Sequence, residues 1–325
     1  MKVQILGGGA WGMALSRLLA GYGHQTQIWV FDDAELEQLK NDRANAALLP
    51  GVKLHETTVV SSEIMQNAEL VVYAVPSHAM RATAERMKFS NHPVHVSVAK
   101  GIENDTLLRM SQIIQDAHPG DGVVALSGPS HAEEVGRGLP ACLVAASQNS
   151  EAGKQVQEVF GGPAFRVYTS TDIIGVELGG ALKNVIAIAA GACEGFGLGD
   201  NAKAALITRG LAEIIRLGTS CGAEAATFAG LSGLGDLVVT CASRHSRNHR
   251  VGLCIAEGMN LEQILASSPK VAEGIRTAKS VVLLAKKMGV EMPITQTVYD
   301  VLYNGINARD CITSLMTRLM RAEWE

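Results

Sequence analysis

Apolar and polar positions change their rhythm partway along the chain, and the two rhythms predict two architectures. In the first half, short β-rich runs alternate with helical stretches: Val3 to Leu6, Thr26 to Phe31, Leu70 to Val75, Val94 to Ala99, Val123 to Ser127, Ala141 to Ala145 and Phe165 to Tyr168. Seven strands with helices between them predict a parallel sheet. Several runs are continuously apolar rather than alternating, so both faces should be covered, as in a doubly wound Rossmann-type sheet. Around Thr169-Ser170-Thr171-Asp172 the pattern turns helical. Helices are expected over Gly175 to Ala192, Ala202 to Leu217, Ala223 to Ala229, Arg250 to Glu257, Leu261 to Leu265, Gly274 to Met288, Pro293 to Tyr303 and Cys311 to Glu323. The expected organisation is an α/β domain over residues 1–170 and an all-α domain over residues 171–325, the doubly wound sheet being of the kind that binds dinucleotides and the helical half being left to hold a substrate.

Composition narrows the function classes. With 325 residues, 47% of them hydrophobic, the chain can fill two cores and is too apolar to be disordered. A net charge of -4 lacks the broad basic face that nucleic-acid binding requires, which leaves a small molecule as the expected partner. The six cysteines, Cys142, Cys193, Cys221, Cys241, Cys254 and Cys311, form no C-x-x-C pair. They are expected to be reduced and mostly buried, and no metal site is expected from them. Apolar runs such as Val185 to Ala192 are interrupted well before about 20 residues, so no membrane span is expected. The N-terminal residues lack the h-region and cleavage site of a signal peptide, and a cytoplasmic location is expected.

The first strand runs into Gly7-Gly8-Gly9-Ala10-Trp11-Gly12, and Ala10 to Tyr22 continues as a helix. Gly7, Gly9 and Gly12 fit G-x-G-x-x-G in the strand, turn, helix context that sets a pyrophosphate on a helix N-terminus. The next strand delivers Phe31, Asp32 and Asp33 about 20 residues on, where an acid hydrogen-bonds the adenosine ribose and favours NAD over NADP. Asp32 is equally suited to cap the following helix. Pro76 ends the third strand and Lys100 follows the fourth, both at the cofactor crevice; for Lys100 the alternative is simply the first solvated residue after a buried strand.

The stretch Gly179-Gly180-Ala181-Leu182-Lys183-Asn184-Val185 surrounds a lysine with small and apolar neighbours. Burying an ammonium is costly, so Lys183 either snorkels to water, pairs, or titrates near neutrality as a general acid and base. Asp236 and Thr240 would share a helix face, and Asp236 would hold Lys183. Ser246, Arg247 and Asn248 precede a helix and suit a substrate phosphate. His131 stands at a helix start, where capping or a cofactor-edge contact competes with a proton-carrying role, and His245 shares that secondary candidacy.

With these motifs assembled, and with Ser127-Gly128-Pro129-Ser130-His131-Ala132 added, the sequence resembles bacterial NAD(P)-dependent glycerol-3-phosphate dehydrogenases through almost its whole length. The resemblance implies interconversion of sn-glycerol 3-phosphate and dihydroxyacetone phosphate, supplying glycerophospholipid synthesis. It implies Lys183 as proton acceptor, and Lys100, Gly128, Ser130, Asp236, Ser246, Arg247 and Asn248 as substrate contacts. Asn184 and Thr240 support the substrate side; Trp11, Lys100, Ala132, Arg247, Val271 and Glu273 fall at cofactor positions. Many members of that family end the second strand with an arginine, whereas Phe31-Asp32-Asp33 stands here, which leaves the choice between NAD and NADP open. A homodimer is expected from the apolar helical half. The rivals are a β-hydroxyacid or 6-phosphogluconate type dehydrogenase, and a non-catalytic nicotinamide sensor.

Overall fold

The computed structural model describes residues 1–267, 272–317, 319–320 and 322–323. The first half builds one sheet from β1 (Lys2–Leu6), β2 (Gln25–Trp29), β3 (Val59–Ser61), β4 (Leu70–Tyr73), β5 (Val94–Ser97), β6 (Val123–Ser127), β7 (Ala141–Ala146) and β8 (Phe165–Ser170). Their spatial order is β3-β2-β1-β4-β5-β6-β7-β8. Between them run α1 (Ala10–Gly21), α2 (Asp33–Asp42), α3 (Met80–Arg86), α4 (Met110–Ala117), α5 (Ala132–Val135) and α6 (Ser150–Phe160). Strand β1 pairs with β2 on one side and β4 on the other, so a crevice opens beyond the end of β1, where the chain switches direction across the sheet.

Two features differ from the sequence expectation. The strand β3 was not among the seven expected; three residues are too short to set up a readable period, although Thr57-Thr58-Val59-Val60 is β-branched. The sheet is also not wholly parallel, because β7 runs antiparallel to β6. The connection between them holds only the single turn α5, so the chain returns at the same end instead of crossing over.

The second half is helical: α7 (Ile173–Gly195), α8 (Gly199–Ser220), α9 (Ala225–Phe228), α10 (Asp236–Ala242), α11 (Arg247–Ala256), α12 (Leu261–Ala266), α13 (Glu273–Met288), α14 (Pro293–Tyr303) and α15 (Ala308–Met316). Helix α15 starts earlier and stops sooner than the periodicity suggests, with Asn307 accepting from the Arg309 N–H at 2.8 Å as its cap. Helix α7 is the axis. Asp172 caps it by accepting from the Gly175 N–H at 2.8 Å, and its side chains are buried on nearly all sides. By length and mean hydropathy alone α7 is apolar enough to cross a bilayer, as is the stretch Ala225–Ala242, against the expectation that no segment would be. The gap in that expectation is physical: glycines and the few charges Glu177, Lys183 and Glu194 do not lower hydropathy enough to break the run. Yet 89% of the most apolar part of α7 is buried inside the protein, the position of a central core helix.

Close helix packing depends on glycine at two places. A Cβ on Gly191 would lie 1.9 Å from the His249 carbonyl oxygen, and one on Gly252 would lie 2.1 Å from the Ile188 oxygen. These two glycines let α7 and α11 approach backbone to backbone. The two halves are tied by Glu177 of α7, which accepts from the Ser111 N–H at 2.7 Å, from the Ser111 hydroxyl at 2.6 Å and from Arg109. Of the six cysteines only Cys193 and Cys241 are buried and four are half-buried, fewer than expected; none is disulfide-bonded.

Candidate active site

Strand β1 ends in a turn that only glycine can make. Gly7 has φ +114°, and a Cβ there would sit 2.7 Å from the Ala74 oxygen. A Cβ on Gly12 would meet the Gly7 oxygen at 2.0 Å, whereas Gly9 faces open space with nothing within 4 Å. Gly7 and Gly12 thus close the turn, and Gly9 keeps its outer side clear. Gly9 also caps α1 without a side chain, so the amides from Ala10 and Trp11 onward meet no capping oxygen. An open glycine face beside an uncapped helix N-terminus fits the pyrophosphate of a dinucleotide. At the end of β2, Phe31 is 74% exposed, and Asp32 accepts from the Glu35 N–H at 2.8 Å as the cap of α2. The cap takes one carboxylate oxygen, so capping and ribose contact do not exclude each other.

Lys183 does not snorkel. It is 5% exposed, and its ammonium donates to Asp236 Oδ1 at 2.5 Å and to Thr240 Oγ1 at 2.6 Å. Thr240 donates its own proton to the Asp236 carbonyl at 2.6 Å, which leaves its oxygen free to accept from the lysine. Two of three ammonium hydrogens are therefore placed and one remains for a ligand. Lys100 is no solvated strand end either: its Nζ donates to Asp236 Oδ2 at 2.6 Å and to the Gly128 carbonyl at 3.0 Å. One buried carboxylate thus joins two lysines, from the end of β5 and from the middle of α7.

Glycines allow this convergence. A Cβ on Gly179 would collide with the Ser232 oxygen at 2.6 Å, so the π turn over Leu231–Gly235 that presents Asp236 can press against α7. A Cβ on Gly180 would meet Ser127 Oγ at 2.7 Å and Lys100 Cγ at 3.5 Å. Burial, opposed by the Asp236 charge and assisted by Lys100, lowers the Lys183 pKa to about 8. Burial alone would raise Asp236, but the two ammonium groups outweigh it and hold its carboxyl below the usual range. A lysine near 8 exchanges a proton at physiological pH while the carboxylate beside it stays charged.

At the start of α11, Ser246 Oγ accepts from the His249 N–H at 3.2 Å, and Arg247 is exposed. Asn248 donates to Asn184 Oδ1 at 2.9 Å and accepts from the Gly274 N–H at 2.9 Å. Asn184 in turn donates to the Lys100 carbonyl at 3.3 Å. The basic N-terminus of α11 is therefore seated beside the residue that follows Lys183. Asn248, expected on the substrate, uses one of its two amide hydrogens and its carbonyl oxygen in this brace between α7 and α13. Ser130 Oγ donates to the Gly128 carbonyl at 2.9 Å, next to the Lys100 contact.

The capping reading of His131 is corrected. It stands at the N-cap of α5 but makes no side-chain cap, its ring centroid is 5.9 Å from that of His245, and its Nε2 is buried without a hydrogen-bond partner among the described residues. Burial, then the Lys183 charge, lowers its pKa, so it is neutral at neutral pH. Glu273, expected at the cofactor, accepts from the Ser77 N–H at 3.1 Å and the Ser77 hydroxyl at 2.6 Å. It clasps α13 to the chain just after Pro76. Trp11 and Ala132 are half-buried against the core of the sheet. Val271, expected at a cofactor position, lies outside the described residues. Sequence reading missed Ser77 as a clasp and Ser127, whose buried hydroxyl faces Gly180 unpartnered among the described residues; only the second half's packing gives either a role.

Two family models match the chain, one in each half. The N-terminal model of NAD-dependent glycerol-3-phosphate dehydrogenase matches residues 2–153, and the C-terminal model matches residues 172–313. A glycerol-3-phosphate dehydrogenase (NAD(P)+) of Carboxydothermus hydrogenoformans is 48% identical over 330 residues, covering 99% of this chain and 98% of its own. One from Moorella thermoacetica is 48% identical over 322 residues, covering 98% and 96%. The crystal structure of glycerol-3-phosphate dehydrogenase from Coxiella burnetii superposes with a TM-score of 0.94 at 34% identity, covering 97% of this chain and 98% of that one. With both family models matched in order and full-length relatives near half identity, this chain belongs to the NAD-dependent glycerol-3-phosphate dehydrogenase family.

Proposed function

We propose that the chain interconverts sn-glycerol 3-phosphate and dihydroxyacetone phosphate, with Lys183 as the proton carrier. The observation that carries this reading is the Lys183–Asp236–Lys100 cluster, buried beside a basic helix N-terminus. The nicotinamide ring supplies or accepts the hydride when the dinucleotide is bound. In reduction, the third Lys183 hydrogen donates to the substrate carbonyl oxygen and passes to it as the alkoxide forms; in oxidation the neutral amine takes the hydroxyl proton. Asp236 holds the amine in place through both states, because Lys100 keeps its carboxylate paired when Lys183 is neutral. Arg247 and the α11 N-terminus receive the phosphate, with Lys100, Gly128, Ser130 and Ser246 on the same wall. A nicotinamide sensor would have no use for a buried, titrating lysine, and a hydroxyacid substrate would leave Arg247 without its dianion.

The finer assignments follow the same chemistry. NAD is the preferred dinucleotide, since Asp32 at the end of β2 repels a 2′-phosphate. The product supplies glycerophospholipid synthesis in the cytoplasm. The enzyme acts as a homodimer, a reading supported by exposed apolar side chains at Met316, Leu319 and Met320. The test is oxidation of NADH and NADPH with dihydroxyacetone phosphate, against unphosphorylated dihydroxyacetone. Turnover confined to the phosphate ester is the expected result, and equal turnover of both substrates would overturn the assignment.

A further inference from the structure

Phe31 is a large apolar ring left 74% exposed at the end of β2, and it is not alone there. The guanidinium of Arg86, the last residue of α3, lies 5.6 Å from the Phe31 ring centroid and 5.5 Å from that of Trp29. The two rings are themselves 6.0 Å apart. Both distances lie within cation–π range, so two aromatic faces hold one planar cation. Arg86 is exposed and makes no ion pair among the described residues.

The ordinary account of an arginine at a helix C-terminus is favourable interaction with the terminal carbonyls. That account does not fit the rotamer seen. The side chain reaches across to β2 and lies over two rings, with no hydrogen bond to the carbonyls ending α3 among the described residues. The place it reaches is the end of the second strand of a dinucleotide-binding sheet, where the adenosine ribose is recognised. Asp32 stands next to Phe31 and carries the acid that opposes a 2′-phosphate. An unneutralised arginine beside it carries the group that attracts one, with a fork geometry matched to phosphate oxygens.

We propose that Arg86, held over Phe31 and Trp29, is the 2′-phosphate contact of this chain, and that it admits NADP(H) against the repulsion of Asp32. Cofactor choice is then a contest between two opposite charges flanking one exposed ring. The NAD(P) position is filled from α3 and not from the strand end, where the sequence has no arginine. This inference rests on the cofactor site proposed above and is independent of which substrate is reduced.

Direct binding tests it. Dissociation constants for NADH and NADPH are measured by fluorescence titration, and those for 5′-ADP and 2′,5′-ADP by calorimetry, in the wild type, Arg86→Gln, Arg86→Lys and Asp32→Asn. Arg86→Gln is expected to weaken NADPH and 2′,5′-ADP about tenfold or more and to leave NADH and 5′-ADP within about twofold. Arg86→Lys should recover part of the loss, and Asp32→Asn should tighten NADPH selectively. Weakening of all four ligands alike, or of none, overturns the proposal. Because no substrate is present, failure of the dihydroxyacetone phosphate assay would leave this result untouched.

Discussion

Lys100 and Lys183 meet on opposite oxygens of the Asp236 carboxylate, at 2.6 Å and 2.5 Å. One lysine ends a strand of the sheet and the other lies inside the axial helix of the second half. Their shared carboxylate is the point where the two halves become one site, and it sets the proton affinity of the residue that works.

The first consequence is a pH dependence with a defined sign. Lys183 loses its proton at about 8, and reduction needs the protonated form while oxidation needs the neutral one. We predict that kcat/KM for dihydroxyacetone phosphate falls as pH rises through about 8, and that kcat/KM for glycerol 3-phosphate rises over the same interval. Asp236 raises the Lys183 pKa, so Asp236→Asn should move both limbs to lower pH. Limbs that stay in place in the variant would remove Lys183 from the proton-carrying role.

Replacing Lys183 by Met keeps the apolar volume and removes the proton. Turnover should fall by about 10^2 to 10^4-fold, the range of a lost general acid. NADH binding, followed by fluorescence, should stay within about twofold, because Lys183 bonds only to Asp236 and Thr240 among the described residues. A parallel loss of NADH binding would mean that the lysine holds the fold and not the chemistry.

Arg247 is exposed at the start of α11 and makes no ion pair among the described residues. Arg247→Gln should raise KM for dihydroxyacetone phosphate about 10- to 100-fold, the value of a charge-assisted contact. Turnover of unphosphorylated dihydroxyacetone, expected to be poor, should change little. Steady-state comparison of the two substrates decides it: an equal effect on both would place the arginine elsewhere.

A buried histidine cluster at Tyr73 and Asp121 is expected to govern acid stability. The Tyr73 hydroxyl lies 3.0 Å from His95 Nδ1 and 3.1 Å from His118 Nε2, and the two rings stack at 4.2 Å. His95 Nε2 is 2.9 Å and the exposed His92 Nδ1 is 2.6 Å from the two Asp121 oxygens. Burial and the His118 charge push His95 down to about 4, against the Asp121 charge; burial and the Lys88 charge lower His118. The folded state thus refuses protons that the unfolded chain accepts below about 6.5, so stability is full above that pH and is lost as pH falls towards 4. The His95 contribution is on the order of 3 kcal/mol. Denaturant midpoints of the wild type and His95→Asn between pH 7 and 4.5 test this: the wild type should lose stability more steeply, and parallel curves would sink the assignment.

Glycine packing gives a contrast of sign. Gly252→Ala would thrust a methyl to 2.1 Å from the Ile188 oxygen and should destabilise by about 2 kcal/mol or more. Gly21, at the exposed end of α1, has nothing within 4 Å of its Cβ position, and Gly21→Ala should stabilise by about 0.5 kcal/mol. Urea unfolding of both variants measures the difference.

Local chemistry determined much of this protein. The Gly7-Gly8-Gly9 turn, the apolar strands and the capped start of α7 follow from short-range sterics and hydrophobic period, so the Rossmann-type half and the helical half were legible from the chain. Lys183 was legible as an anomaly, because an ammonium among small and apolar residues demands a partner. What the sequence could not decide was the partner's geometry: that Lys100 shares Asp236, that Asn248 braces Asn184, that Glu273 clasps Ser77, and that the His131 side chain does not cap α5. The same holds for the reversal of β7 and for Arg86 over Phe31. The side-chain pairings among these join residues far apart in the chain, and a side chain's choice among distant partners is settled only when close packing fixes which elements touch.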